Sequence, residues 1–279
     1  MDLGKEVKTP IRYAGGKSKA YNKINKHLPF FQKPKRIISP FMGGGSLEVR
    51  WASEMGIPVL GFDVFWCLTN YWKNQLNNPR EIYEVLNSLE CNKESYKEIK
   101  EELQQWSRVQ ELFTEWPTEY YKREPKEISD LLGAAYYFFS HNLSYGPMFM
   151  GWFSSIYNDK KKYTKMIERV RDFSCPNLQV ENKSFEEVIP NFPNDMIYLD
   201  PPYYMKKDED NKMFKGIYPN SNFAVHHNSF DHELLRDLLH NHKGSFVLSY
   251  NNCETIREYY KDFKQVFPEW KYSFGQGET

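Results

Sequence analysis

The 279-residue sequence lacks several features that would narrow its chemistry at once. It has no excess of either charge, Lys+Arg and Asp+Glu both numbering 37, so no global field draws it to a polyanion. Any nucleic-acid surface must then come from local segregation of charge. Its cysteines, Cys67, Cys91, Cys175 and Cys253, lie far apart with no C-x-x-C pair. Neither a zinc site nor a disulfide framework is suggested, and a reducing compartment is expected. No apolar run approaches the roughly 20 residues of a membrane span, and the N-terminus lacks an apolar signal region, so no membrane partner is expected. Five of the seven histidines fall between His226 and His242, but His232-Glu233 is followed by Leu234, Leu235 and Arg236. That misses the H-E-x-x-H pattern, and no metal is expected.

What is present begins with Met196-Ile197-Tyr198-Leu199-Asp200-Pro201-Pro202-Tyr203-Tyr204. An apolar run stopped by prolines reads as a buried strand that delivers Asp200 to the carboxyl edge of a sheet, where open α/β sheets hold ligands. Pro201 and Pro202 remove two backbone N–H donors and leave their carbonyls free to accept. A carboxylate, bare carbonyls and the flat ring of Tyr203 suit a planar group with an amine at its edge, such as a nucleobase. Alone, the segment could equally be a strand-ending turn, since Asp and Pro both favour turns.

Two glycine turns precede it. Tyr13-Ala14-Gly15-Gly16-Lys17-Ser18 is a tight turn opening a helical stretch through about Leu28. It imitates the end of a phosphate loop, but Ile11 stands where G-x-x-x-x-G-K-[ST] needs glycine. The turn lets backbone approach a ligand, and Lys17 can reach a carboxylate or a ribose. Pro40-Phe41-Met42-Gly43-Gly44-Gly45-Ser46 follows a short strand, with Ser46 placed to cap the next helix, through about Met55. A second strand, Ile57 to Asp63, ends in an acid eighteen residues after Gly45. That spacing matches the dinucleotide-fold arrangement in which a carboxylate about 20 residues past a glycine loop accepts from ribose hydroxyls. The G-x-G-x-x-G form is absent, which favours a nucleoside ligand without pyrophosphate, such as S-adenosylmethionine, over NAD.

From about Tyr71 to Arg171 the character changes. Ile82, Val85, Leu86 and Leu89 recur at helical spacing, and Leu131 to Phe139 is a dense apolar helix. The glycine-punctuated aromatic loop His141 to Phe153 comes next, then Lys160, Lys161, Lys162 and Lys165. Such a run suits DNA, with lysines on phosphates and Asn142, Ser144 and Tyr145 near bases, or it is a packed loop beside a solvated lysine patch. Met205 to Ser229 is polar and without periodicity and reads as a loop free to close on a ligand. A helix starting at Phe230 and a strand over Gly244 to Asn251 complete the pattern, placing Ser249, Tyr250 and Asn251 near the active edge.

Together these motifs resemble the adenine-N6 DNA methyltransferases related to Dam, the D12 class. Their signature is Asp/Asn/Ser-Pro-Pro-Tyr/Phe, the Asp form pointing to N6 of adenine. The order of motifs over nearly the whole chain fits that family. The resemblance implies a Rossmann-like α/β methyltransferase domain, residues 1–70 and 172–279, with a mainly helical target-recognition insertion over 71–171. It assigns S-adenosylmethionine to Tyr13, Ala14, Gly15, Gly16, Lys17, Pro40, Phe41, Gly43, Gly44, Gly45, Ser46, Asp63, Ser184, Phe185 and Asp200. Catalysis falls to Asp200, Pro201, Pro202 and Tyr203, and double-stranded DNA to Asn142, Ser144, Tyr145, Lys160, Lys161 and Lys162. Two departures stand out. Relatives have Asp-Phe where this chain has Ser184-Phe185, so the polar contact to the cofactor's adenine is weaker or comes from backbone. Relatives also continue through a final strand pair after a segment like Tyr272 to Gly275, so a truncation or a different sheet closure is expected near Thr279. A monomer or weak dimer working in the cytoplasm, or inside a host cell for a virus- or phage-encoded chain, is expected. An RNA adenine methyltransferase and a non-catalytic cofactor- or nucleic-acid-binding homologue are the alternatives.

Overall fold

The computed structural model describes residues 7–28, 34–110, 128–146, 149–204 and 230–268. Among them five parallel strands form one sheet: β1 (Ile37–Ser39), β2 (Val59–Asp63), β3 (Leu178–Asn182), β4 (Met196–Leu199) and β5 (Phe246–Leu248). The strand order is β3-β2-β1-β4-β5. The chain therefore winds outward from β1 through β2 to β3, then crosses back to place β4 on the other side of β1. Ile37 pairs with Val59 on one side and with Met196 on the other, so β1 and β4 flank the switch point where such sheets bind ligands.

Ten α-helices are described, and they cover both faces, which is why the central strands β1 and β4 are buried throughout, whereas the edge strand β3 alternates, burying Leu178 and Val180. The two-residue period sorts side chains between the faces. Ile37, Val59, Leu178, Met196 and Tyr198 enter one core with α1 (Tyr21–Asn25), α2 (Glu48–Glu54) and α3 (Trp66–Asn77). The same core takes in α4 (Pro79–Ser88), α5 (Lys93–Gln110), α6 (Asp130–Asn142) and α7 (Lys160–Arg171). Ile38, Phe62, Ile197 and Leu199 enter the other core, with α8 (Phe185–Asn191), α9 (His232–Asn241) and α10 (Glu254–Tyr259). Each fully buried aliphatic side chain contributes roughly 1.5–3 kcal/mol, so the two layers fix the sheet's facing.

The middle of the chain is helical as its periodicity predicts. Ile82 and Leu86 are buried on α4, and Tyr96, Ile99, Leu103 and Trp106 form one buried stripe on α5. Pro79 opens α4 at a position whose N–H would be unpaired anyway. Tyr71 lies inside α3, and Tyr71, Trp72, Tyr137 and Phe138 share one core with Ile37 and Val59. Packing is thus continuous across the residue where composition changes.

Two local expectations are corrected. The N-terminal helical stretch is a 3-10 turn (Ser18–Ala20) followed by α1, which ends at Asn25, short of Leu28. Ser46 does not cap α2: that helix begins at Glu48, and the Ser46 hydroxyl accepts from the Lys17 amide at 2.9 Å. The hydroxyl ties the two glycine turns together instead. The loop expected over Met205 to Ser229 and the Tyr272 to Gly275 segment lie outside the described residues.

Candidate active site

Four strands end at one edge, and each delivers a part of the site. After β1 the chain turns through Pro40 and Phe41 into Gly43 and Gly45, whose φ values of +49° and +62° are the left-handed region that suits glycine. A Cβ on Gly44 would come within 2.3 Å of Tyr13 Cβ, so the Tyr13 side chain lies directly on this turn. The Gly43 carbonyl accepts from Trp72 Nε1 at 3.0 Å, so α3 braces the turn from beneath. At the end of β2, Asp63 accepts from the Gly43 amide at 2.9 Å and from the Phe65 amide at 3.0 Å. These bonds hold Asp63 at the edge where a ribose hydroxyl would need an acceptor.

After β3, Ser184 has extended backbone and its amide donates to Glu187 at 3.2 Å, beginning α8. Phe185 is buried against Phe41 at 5.6 Å and Phe230 at 5.0 Å between ring centroids. Three rings thus line the edge between β1 and β3.

After β4 comes Asp200. Lys17 donates to both of its oxygens, at 2.8 and 2.6 Å, and also lies 3.3 Å from the Gly15 carbonyl. The lysine is 5 % exposed and the Asp200 side chain 21 %, so the ion pair is sheltered from solvent. Burial raises the Asp200 carboxyl above its ordinary range, and the Lys17 charge and hydrogen bonds offset only part of that rise. Pro201 is buried, and Tyr203 is half-buried with its ring centroid 5.2 Å from Lys17 Nζ. Asn251 clamps the exit of this segment, accepting from the Tyr204 amide at 3.0 Å and donating to its carbonyl at 2.9 Å. Ser249 continues the pairing through its amide to the Leu199 carbonyl at 2.8 Å. A carboxylate fixed by a buried ammonium, beside an aromatic ring and a proline carbonyl, can orient an amine without itself being mobile.

A family model for the D12 class N6 adenine-specific DNA methyltransferases matches residues 13–274. The chain belongs to that family. No curated protein matches it.

The methyltransferase thus brings together at one sheet edge the residues the sequence assigned to cofactor and catalysis, from the Tyr13 to Lys17 turn to Tyr203. The residues assigned to DNA divide. Asn142 and Ser144 are buried: Asn142 Oδ1 accepts from the Arg12 amide at 2.8 Å, and the Ser144 Oγ lies 2.7 Å from the His141 carbonyl and 2.8 Å from that of Gly146, its one hydrogen shared between them. They brace the loop internally, because the end of α6 must be pinned to the N-terminal segment. Tyr145 is 77 % exposed, and its amide donates to the Trp152 carbonyl at 2.6 Å across an antiparallel bridge of Ser144 with Phe153. Lys160, Lys161 and Lys162 are exposed at the start of α7, whose Asp159 side chain caps the helix by accepting from the Lys161 amide at 3.0 Å.

Sequence reasoning missed Trp152, 82 % exposed beside Tyr145, although it lies in the aromatic loop already singled out. It also missed Arg12, which ties the N-terminal turn to α6, and Trp72. Glu48, buried behind the site, carried one signal, a carboxylate between apolar residues at the opening of a helix. Among the described residues no cluster of metal ligands occurs, and no helix is long and apolar enough to cross a membrane.

Proposed function

We propose that this methyltransferase transfers a methyl group from S-adenosylmethionine to N6 of adenine at specific sites in duplex DNA, with the target base flipped into the Asp200-Pro201-Pro202-Tyr203 pocket. The observation that carries the reading is Asp200 at the end of β4, locked by Lys17 and set beside the glycine turn that follows β1. The residues fit the cofactor. A turn whose Cβ positions are already filled by Tyr13, the Asp63 carboxylate at the end of β2 and the rings of Phe41 and Phe185 suit an adenosine with no phosphate. When bound, S-adenosylmethionine supplies an electrophilic methyl group on a sulfonium.

The N6 nitrogen is a poor nucleophile because its lone pair is delocalised into the purine. Asp200 and the Pro201 carbonyl accept the N6 hydrogens, which favours a pyramidal nitrogen aimed at the methyl group. Each Asp200 oxygen has two acceptor positions, so it holds Lys17 and an N6 hydrogen together. Tyr203 stacks on the base and helps offset an unstacking cost of roughly a few kcal/mol. The amine proton becomes acidic only as the N–C bond forms and the methyl's bond to sulfur breaks, and it is then lost to solvent by way of Asp200, so Asp200 acts first as an orienting acceptor, with no free base needed beforehand. Tyr145 contacts the duplex near the target, and Lys160 to Lys162 lie along its phosphates. The enzyme works as a monomer or weak dimer.

The test is transfer of labelled methyl to unmethylated duplex DNA, then digestion to nucleosides. Label in N6-methyladenine is expected from the wild type, and Asp200→Ala should still bind DNA but lose most transfer even at saturating cofactor, by about a hundredfold or more. Label only in single-stranded RNA, or none despite cofactor binding, would sink the reading.

A further inference from the structure

Behind the Lys17–Asp200 pair lies a second carboxyl that the mechanism above leaves idle. Glu48, the first residue of α2, is 3 % exposed. Fully buried Ser39, the last residue of β1, lies with Oγ 2.7 Å from Glu48 Oε1, and the Leu47 amide donates to Oε2 at 3.2 Å. Among the described residues no cation pairs with Glu48. The ammonium nearest the site, Lys17, gives both its carboxylate bonds to Asp200.

We propose that Glu48 is a positioning residue of the methyl-transfer site, a buried acid that keeps its proton beside an ionised Asp200 and so leaves the Lys17 ammonium to Asp200 alone. The proposal rests on the reading of Asp200 as acceptor of the N6 hydrogens. Two carboxylates and one ammonium in a place with little water cannot all be charged cheaply, so a proton settles on the carboxyl that has no cation. Burial drives Glu48 up from 4.5 to about 7, and the charge on Asp200 pushes the same way, against the hydrogen bonds around its own carboxyl. The charged group that acts on Glu48 is Asp200 beyond β4, itself held by Lys17 of the N-terminal turn; Ser39 on β1 and the Leu47 amide supply neutral partners. The Ser39 hydroxyl donates to Oε1 of the carboxylate; a neutral carboxyl keeps both contacts once that hydroxyl turns to accept from its O–H, while its carbonyl oxygen accepts from Leu47. Once the pH passes about 7, Glu48 ionises, attracts Lys17 and repels Asp200. Asp200 then loses the fixed orientation that its two bonds to Lys17 impose.

Glutamine copies the neutral acid in shape and hydrogen bonding, so Glu48→Gln keeps the site's geometry but cannot ionise. The experiment compares wild type, Glu48→Gln and Asp200→Ala by single-turnover methyl transfer at saturating cofactor and DNA, and by thermal unfolding, from about pH 5 to about pH 8. The ratio of Glu48→Gln rate to wild-type rate should rise about threefold or more across the range, because only the wild type acquires the second charge. The unfolding midpoint of Glu48→Gln should rise by a few degrees relative to wild type as the pH rises. A carboxyl whose native value exceeds its unfolded value makes the wild type lose stability as pH rises from the unfolded value to the native one. A rate ratio or a midpoint difference independent of pH would overturn the proposal, since a merely structural role gives a constant factor. Wild-type turnover by Asp200→Ala would overturn the acceptor role and the proposal with it. Loss of turnover there, with a flat Glu48→Gln ratio, would overturn the proposal alone.

Discussion

At the scale of single residues the site is built from contacts with almost no slack. A Cβ on Gly44 would lie 2.3 Å from Tyr13 Cβ and 2.8 Å from its Cγ, and Tyr13 Cβ is fixed by its own backbone. Gly44→Ala must therefore separate the two turns, and cofactor affinity is expected to fall by about tenfold, or about 1.4 kcal/mol. Titration of the purified variant with S-adenosylmethionine measures this; wild-type affinity would show that the contact between the turns is dispensable. The sequence marked Lys17 as able to reach a carboxylate or a ribose. Three-dimensional proximity chose the carboxylate, because the register of β1 and β4 sets Asp200 beside the turn that carries Lys17.

At the scale of elements the helices of the middle region are held to the sheet by interlocking shapes. Gly133 on α6 faces Trp106 on α5, where an added Cβ would fall 2.2 Å from Trp106 Cζ2. Trp106 is buried and its Nε1 donates to the Ile128 carbonyl at 3.1 Å, so the ring is anchored at both ends. Helix propensity favours alanine over glycine by roughly 0.5–1 kcal/mol, whereas overpacking costs about 1–3 kcal/mol. The second effect wins, and Gly133→Ala is expected to destabilise the protein by about 1–2 kcal/mol in urea unfolding. A stabilised variant would mean that Trp106 moves aside freely. The helices themselves were legible in the sequence, since buried residues recur at helical spacing along α4 and α5. Their attachment to the sheet was not, because periodicity names a buried face without naming what covers it.

At the scale of the whole molecule a chain with no net charge has to meet a polyanion through a local surface. Lys160, Lys161 and Lys162 project from the start of α7 while Tyr163, Met166, Ile167 and Val170 bury its other face. Replacing the three exposed lysines by glutamate should weaken DNA binding at every sequence tested and lower the salt dependence by about 0.9 in log–log slope for each phosphate no longer neutralised. Binding isotherms across a salt series measure the slope, and an unchanged slope would return these lysines to an ordinary solvated face. The exposed Tyr145 and Trp152 stand on the same stretch of chain as those lysines, and that stretch shares its core with the sheet.

The sequence by itself determined the order and kind of the parts: apolar strands ending in acids, glycine turns where backbone must approach a ligand, and a proline pair that stops β4 immediately after Asp200. Those are local properties, written in backbone sterics and in side-chain chemistry that each residue carries wherever it goes. The tertiary structure alone decided the pairings. It joined Lys17 to Asp200 across 183 positions, set Asn142 against Arg12 across 130, and buried Ser144. It also left Glu48 beside Asp200 without a cation. Strand order and packing bring distant residues together, and the free energy of a buried charge or polar group depends on which neighbours arrive. The residue type alone cannot give that.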